Sequence, residues 1–356
     1  MDRKLTASGC RSKAKAFVLL PIVLLLVVSV SGCTGFESIP FIGSFCIPGI
    51  TCAQTVEYEN DVLIIKTLDA VPSTVSTGQQ FRLSAWIENK GAETVPQKDF
   101  GVYSGTTSGE MIVKLYDTCE GLFSSIKVIC PDTNQETEGT SCTIKNILPK
   151  QTIPISWTLV ANDKDKIPLE TSCNLKVYVR YPYQTKSITS VTFIDYVEMQ
   201  RMINEGKFNP ITSYITEGYG PIKPYLTVED QQPIPVKSGT KSTTTIAFQV
   251  KNKGSGFLSS FYAEDGKDVN KVTHVSISSN ADSSKYDIGG EVSKKVEALG
   301  DIELVGKESP KQFFTIDTPS NNQIEKVATY HVTSSIDYIY EFRKEIKITI
   351  KPPKIF

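Results

Sequence analysis

The main signal along the chain is an alternation of apolar and polar residues with a period of two. It is clear in three stretches, 81–88, 153–159 and 175–181, each with aliphatic or aromatic residues on one face and polar residues on the other. Strands of this kind are typical of antiparallel sheets that cover a core on one side only. Glycine- and proline-containing turns separate the stretches. The pattern predicts an all-β protein built from β-sandwiches.

An internal repeat divides the chain. The segment 83–91 (LSAWIENKG) is echoed by 246–254 (IAFQVKNKG), an offset of 163 residues. Each copy is expected to end in a long hairpin, formed by 175–194 in the first copy and by 327–350 in the second. Because each copy has its own set of inward-facing residues, we expect two sandwiches that fold independently of each other.

The segment between the copies departs from the strand pattern. In 195–205, Tyr196, Met199 and Ile203 fall on one face of a helix. A glycine- and proline-rich stretch follows it and predicts a linker. Within the second copy, Val292 and Val296 predict one more short helix among the strands.

The N-terminus predicts export. A polar, basic segment (1–15) precedes an apolar run of 15 residues (16–30), which as a helix spans ~22 Å, less than the ~30 Å core of a bilayer. The sequence Val-Ser-Gly-Cys at 30–33 resembles the lipobox of lipoprotein signal peptides. That resemblance implies cleavage before Cys33 and a diacylglycerol on its sulfur. An uncleaved anchor over 16–33 and a pilin-type signal cut at Ala16 are the alternatives, and all three leave the chain outside the membrane but tethered to it.

The predicted fold is therefore two tandem immunoglobulin-like β-sandwiches, joined by a short helix and linker, behind an N-terminal hydrophobic helix. The predicted segments are 1–32 (signal peptide or membrane anchor), 33–59 (juxtamembrane tether), 60–194 (first sandwich), 195–221 (linker with a short helix) and 222–356 (second sandwich).

A family resemblance rests on the repeat. A strand that ends in Asn89-Lys90-Gly91, followed by a long loop and a strand at 112–116 (IVKLY), resembles the CARDB type of immunoglobulin-like domain of archaeal and bacterial cell-surface proteins. Residues 60–194 match well, and 222–350 match mainly through the strand of the second Asn-Lys-Gly and its flanks. The resemblance implies an extracellular protein in adhesion or assembly and no particular chemistry. We expect the glycine to end the strand at a position that tolerates a positive φ.

Six cysteines lie beyond the lipobox, all of them in the first half of the chain. Their even number, without a Cys-x-x-Cys pair or a nearby histidine, predicts three disulfides rather than a metal site. In an immunoglobulin-like order the third strand, 111–117, runs antiparallel to the sixth, 174–181, and this brings two cysteines together. The predicted pairs are Cys119–Cys173, Cys130–Cys142 across a polar hairpin, and Cys46–Cys52 in a small loop; the main alternative joins Cys119 to Cys130 and Cys142 to Cys173.

Composition narrows the function further. The 38 basic and 39 acidic residues give a net charge of −1, which argues against nucleic-acid binding. The two histidines, His274 and His331, lie in strand-like runs, so we expect neither catalysis nor a cofactor. The acids of 195–205 are interpreted as the polar face of the helix. Acidic loops within 264–287 leave weak calcium binding open, although turn residues explain them more simply.

These observations predict a membrane-anchored extracellular protein with a non-catalytic binding or structural role in cell-surface adhesion or envelope assembly. The expected partners are membrane lipid through the N-terminal anchor and a protein or glycan at the cell surface, with no nucleic acid. The two alternatives are a subunit of a surface filament or lattice and a carbohydrate-binding accessory of a surface enzyme.

Overall fold

The computed structural model describes residues 60–97, 110–133, 135–240, 242–259, 271–272, 274–279, 286–300, 302–320 and 323–352. Tyr58–Phe356 form one compact unit. Most of the described residues lie in β-strands that alternate buried and exposed positions, as the sequence predicts. The buried apolar side chains form one continuous core cluster through both copies of the repeat.

Nineteen strands and two helices are assigned in the described residues. The first copy contains β1 (Leu63–Val71), β2 (Thr74–Ser76), β3 (Gln80–Asn89), β4 (Met111–Asp117), β5 (Phe123–Ile129), β6 (Glu136–Glu138), β7 (Ser141–Ile144), β8 (Thr152–Ala161) and β9 (Thr171–Asp195). The connection contains α1 (Tyr196–Asn204) and β10 (Ile215–Glu217). The second copy contains β11 (Ile222–Val228), β12 (Ile234–Val236), β13 (Thr243–Asn252), β14 (Phe257–Ser259), β15 (Lys271–Val272), β16 (His274–Ser279), α2 (Ile288–Glu297), β17 (Ile302–Glu303), β18 (Gln312–Asp317) and β19 (Val327–Lys351).

Two small sheets face one large sheet. The first copy contributes a five-stranded sheet in the order β1-β3-β8-β5-β6, and the second copy contributes a three-stranded sheet in the order β11-β13-β18. The large sheet has nine strands, with β14-β19-β9-β4-β7 as its main path and β2, β10, β12 and β16 attached to β9 or β19. A two-stranded pair of β15 and β17 completes the second copy.

The two long strands correct the prediction of two hairpins. Strands β9 and β19 each continue without interruption for 25 residues and pair antiparallel with each other, from Thr171 opposite Ile350 to Ile194 opposite Val327. The first half of β9 pairs with β4, and its second half lies beside β10 and β12. The first half of β19 pairs with β16, and its second half ends beside β2. Each copy therefore receives one sheet strand from the other copy.

The centre of this ladder explains why neither run turns back. A short hairpin needs residues that favour turns, such as glycine or asparagine, whereas the middle of β9 reads Tyr-Pro-Tyr and that of β19 reads Tyr-Ile-Tyr. Tyr181 lies opposite Tyr340 and Tyr183 opposite Tyr338. The rings pack on one another with centroids 5.9–6.4 Å apart, so they fill the space between the two halves of the core. We call this central part of the ladder, residues 181–184 and 337–341, the waist.

Both predicted short helices are present, as α1 and α2. In contrast, the structure does not separate 60–194 from 222–356 into independent bodies, because the two copies share the large sheet and exchange strands across it. The repeat boundaries thus describe the sequence rather than two folding units.

The Asn-Lys-Gly motif makes the same turn in both copies. The amide oxygen of Asn89 accepts from the backbone N–H of Gly91 at 2.9 Å, and its amide nitrogen donates to the carbonyl of Glu93 at 2.8 Å. Asn252 makes the equivalent bonds to Gly254 and Gly256, at 3.0 and 2.7 Å. In both copies, therefore, hydrogen bonds from an asparagine side chain replace backbone pairing at the end of the strand.

The expected reason for the glycine is wrong, since neither Gly91 nor Gly254 has a positive φ. What excludes a side chain at Gly254 is space. A Cβ there would lie 2.3 Å from the carboxylate of Asp61 and 2.3 Å from the hydroxyl of Tyr340. The glycine lets the motif of the second copy pack against the start of β1.

Gly254→Ala is expected to lower the free energy of unfolding by about 1–3 kcal/mol, because a methyl group overpacks this contact. Chemical denaturation measures the loss. Gly91→Ala is the matched control, since the nearest atoms there are side-chain atoms of Val62 and Asn89 at 3.0 and 3.1 Å, which need to move less than the atoms around Gly254. Equal losses in the two variants would contradict this explanation.

Candidate functional site

The structure forms two of the three predicted disulfides. Cys119 is bonded to Cys173, with Cα atoms 6.1 Å apart, where the end of β4 meets the start of β9. Cys130 is bonded to Cys142, with Cα atoms 5.7 Å apart. The second bond does not close a simple hairpin, because β5 pairs with β6 and Cys142 lies on β7 of the large sheet. It therefore fastens the two facing sheets of the first copy together.

The N-terminal predictions lie outside the described residues. They include the lipidation at Cys33 and the disulfide Cys46–Cys52. Within the described part of the chain, no helix has the length and apolar character needed to cross a bilayer. The two disulfides that are present are typical of an oxidising, extracellular compartment.

The candidates for chemistry do not converge on one place. His331 lies on the exposed side of β19, where its Nδ1 is 3.0 Å from the hydroxyl of Ser190 on the facing strand. Asp287, from the candidate calcium segment 264–287, accepts the backbone N–H of Gly290 and so caps α2. Most of that segment lies outside the described residues. Among the described residues, no group of three or more His, Cys, Asp and Glu side chains is arranged to hold a metal ion.

The acids of the connection are held by backbone N–H groups or by basic side chains. Asp195 caps α1 through bonds from the N–H groups of Val197 and Glu198. Arg201 pairs with both Glu198 and Glu205. The hydrogen bond from Arg201 lowers the pKa of Glu198, and bonds from Lys207 and then Arg201 lower the pKa of Glu205. Carboxyl groups that stay ionised in this way suit a polar helix face better than general-acid catalysis.

A cleft with fixed polar side chains lies at the waist. It is open to solvent, has a volume of about 480 Å³, and is lined by Ala92, Glu93, Thr94, Gln97, Pro149, Tyr183, Gln184, Lys186 and Tyr219. Four parts of the chain build it: the loop that follows the first Asn-Lys-Gly, the turn between β7 and β8 at Pro149, the centre of β9, and the connection just before β11. We call it the waist cleft.

Hydrogen bonds fix the polar groups of the waist cleft. The amide oxygen of Gln97 accepts from the backbone N–H of Gln184 at 2.7 Å, and its nitrogen donates to Glu93. The amide nitrogen of Gln184 donates to Asp337 across the ladder at 2.7 Å. The hydroxyl of Tyr219 donates to the carbonyl of Asp61 at 3.0 Å. Ordering these side chains therefore costs a ligand little.

The floor and the rim of the cleft differ in character. Tyr183 on the floor is buried, and this burial raises the pKa of its hydroxyl well above the usual value of a tyrosine, so the group stays neutral. Lys186 on the rim is exposed. Its single positive charge is balanced by the carboxylate of Glu93, which leaves a site that is neutral overall.

The strand edge at the back of the cleft is already occupied. Strand β9 is paired by β4 up to Arg180 and by β10 from Ser187 onward. Between them, Pro182 has no N–H, the N–H of Gln184 is taken by Gln97, and the carbonyl of Lys186 accepts from Gly218 at 2.8 Å. An added peptide strand would need these backbone groups, so the cleft can recognise a ligand mainly through its side chains.

Sequence reasoning missed the cleft, because its residues come from segments 92–97, 149, 183–186 and 219, which are far apart in the chain. The most useful signal was the position of Tyr219 between two glycines, Gly218 and Gly220. Both glycines are sterically required: a Cβ would lie 2.3 Å from the carbonyl of Lys186 or 2.1 Å from the hydroxyl of Thr185.

Comparisons with known proteins give little. No family model matches the chain, and no curated protein matches it. Among solved structures, collagen adhesin (CNA) from S. aureus aligns over 82% of this chain and 94% of its own, with 9% sequence identity and a TM-score of 0.13. At that TM-score the likeness carries no argument about fold or function.

Proposed function

We propose that this chain is a non-catalytic extracellular binding protein that acts in cell-surface adhesion or envelope assembly, and that the waist cleft binds a neutral glycan. The observation that carries the proposal is the cleft itself, which combines fixed amides, hydroxyl groups and an aromatic ring. Attachment to membrane lipid through Cys33 stays a prediction from the sequence.

Three properties of the cleft favour a glycan. Planar amides at Gln97 and Gln184 and the hydroxyl of Thr94 offer the mixed donors and acceptors that sugar hydroxyls require. The ring of Tyr219, which is 39% exposed, offers an apolar face held in place by its own hydroxyl bond. The volume lies within the range of small-molecule sites.

A peptide is the less suitable ligand. Peptides that bind to sheet proteins usually add a strand at a free edge, and at this point of β9 the edge is occupied. An anionic or cationic ligand is also disfavoured, since Glu93 and Lys186 oppose each other's charge. The glycan is therefore the ligand class that uses what the cleft offers.

Tyr219→Leu is expected to weaken the binding of neutral oligosaccharides by roughly tenfold, because the ring face is lost. Isothermal titration of the full chain with neutral di- to tetrasaccharides measures the effect. Tyr219→Phe is the matched control, since it keeps the ring face and loses only the hydroxyl bond to Asp61; it should bind more tightly than the Leu variant, once its fold is verified by thermal melting. Absence of binding for every oligosaccharide at millimolar concentration, or equal binding by the Leu variant, would contradict the proposal.

A further inference from the structure

The two copies differ in the strand pairing at one edge of their smaller sheets. In the first copy, β8 pairs with β3 on one side and with β5 on the other. In the second copy, β18 pairs with β13 on one side, and no described strand pairs with its other side. When the two copies are aligned through the equivalent strands β3 and β13, β18 corresponds to β8. The residues of β8 that match 313–317 of β18 are ones that β5 pairs with in the first copy. The first copy therefore shows that this sheet position accepts a further antiparallel strand.

The outer edge of β18 presents backbone groups for pairing at Phe313 and Thr315, whereas the outward carbonyl of Asp317 already accepts a hydrogen bond from the hydroxyl of Tyr286. Thr318 donates its N–H to the carbonyl of Ser242 on the β13 side, and in an antiparallel pair such bonds recur at every second residue. The even-numbered residues of β18 therefore face β13, and the N–H and C=O groups of Phe313 and Thr315 point away from it. Phe313 is also 60% exposed, an apolar ring beside an unpaired edge.

The side chains along β18 are complementary to those of an identical strand that runs in the opposite direction. Lys311, Phe313, Thr315 and Asp317 lie on the outer face in that order. When two such strands pair antiparallel about Phe314, Lys311 of one lies opposite Asp317 of the other, and Phe313 lies opposite Thr315. This register also brings the outward backbone groups of Phe313 and Thr315 into a hydrogen-bonded pair.

We propose that the outer edge of β18, through the backbone groups of Phe313 and Thr315, pairs with β18 of a second copy of this chain about a twofold axis, so that the two three-stranded sheets become one six-stranded sheet. Lys311 is already bonded to Glu229 at 2.7 Å and lies over the ring of Phe313, which holds it at the edge. The contact is isologous, so it closes as a dimer and does not continue as a filament. It is independent of the waist cleft.

Charge exchange tests both the partner and the register. Sedimentation of the full chain in detergent is expected to show a concentration-dependent dimer. Asp317→Lys places lysine opposite lysine in both halves of the contact, and Lys311→Asp places aspartate opposite aspartate, so each variant alone should dimerise roughly tenfold more weakly. An equimolar mixture of the two variants should recover the dimer, because every opposed pair is again a lysine and an aspartate.

Glu110→Lys, in the first copy, is the control for a change of net charge and should dimerise as the unmodified chain does. A chain that stays monomeric over the whole concentration range would overturn the proposal and would leave the edge to a strand of a different protein. Dimers that both charge variants form as strongly as the unmodified chain would overturn it as well, and would point to another contact.

Discussion

Truncation of the chain after Phe342 is expected to unfold the first copy, although it removes no residue between 60 and 194. The deleted segment contains the last nine residues of β19, 343–351, which lie between β2 and the first half of β9 in the large sheet. Hydrogen exchange measured by mass spectrometry should show that β1, β3 and the first half of β9 lose protection.

The size of the effect follows from what the segment buries. Ile348 is 1% exposed and Ile350 is fully buried, and burial of each such side chain contributes about 1.5–3 kcal/mol. The backbone hydrogen bonds to β9 and β2 are lost as well. The first half of β9, which lies inside the large sheet, then becomes an unpaired edge. The total equals a large part of the 5–15 kcal/mol that stabilises a typical domain.

Truncation after Pro352 is the control, since it leaves every residue of β19 in place and should behave as the full chain. A first copy that keeps its exchange protection after the longer truncation would contradict the exchange of strands. The same geometry predicts the reverse case: residues 222–356 alone lack the second half of β9 and should not melt cooperatively, contrary to what the repeat in the sequence indicates.

The strands and the facing sheets could be predicted because their signal is local. Alternation along β3, β8 and β9 places the same side chains in the core that the structure buries, such as Leu83, Trp157 and Val177. The helices α1 and α2 could likewise be predicted, because the spacing of apolar residues changes there from every second residue to every third or fourth. The pairing of Cys119 with Cys173 followed from strand order, which places the end of one strand beside the start of another.

The strand exchange could not be predicted, because alternation reads the same in a hairpin and in one straight strand. The inward set continues without a change of phase from Leu175 through Tyr183 to Phe193, and this continuity fits a single strand. What decides the matter is the absence of turn residues together with tyrosines that find partners only across the ladder. Such partners are distant in sequence, and the waist cleft was missed for the same reason.

A second large effect is expected at the waist, on the face of the ladder opposite the tyrosines. Glu341 is completely buried there. One carboxylate oxygen accepts two bonds from Arg180, at 2.9 and 2.8 Å, and the other accepts one bond from Arg343 at 2.7 Å. Arg180 lies on β9 and Glu341 on β19, so this ion pair joins the two strands that the copies exchange.

Glu341→Gln is expected to lower the free energy of unfolding by about 3 kcal/mol or more, since it leaves Arg180 buried without a counter-charge. Urea denaturation with an unchanged slope would assign the loss to stability. Glu345→Gln, an exposed site on the same strand, is the control and should change stability by no more than about 0.5 kcal/mol.

The double variant Arg180→Met with Glu341→Leu separates the value of the pair from the cost of a lone charge. Apolar replacement of both partners removes the buried charge, and Arg343, with a side chain 49% exposed, is free to turn toward water. We therefore expect the double variant to be more stable than Glu341→Gln alone. Because Glu341 is fully buried and the side chain of Arg180 is only 10% exposed, the loss in Glu341→Gln should persist in 1 M salt, where screening acts over only about 3 Å of solution. A loss that disappears in high salt would show that water reaches the ion pair, and that the pair does not stabilise the contact between β9 and β19.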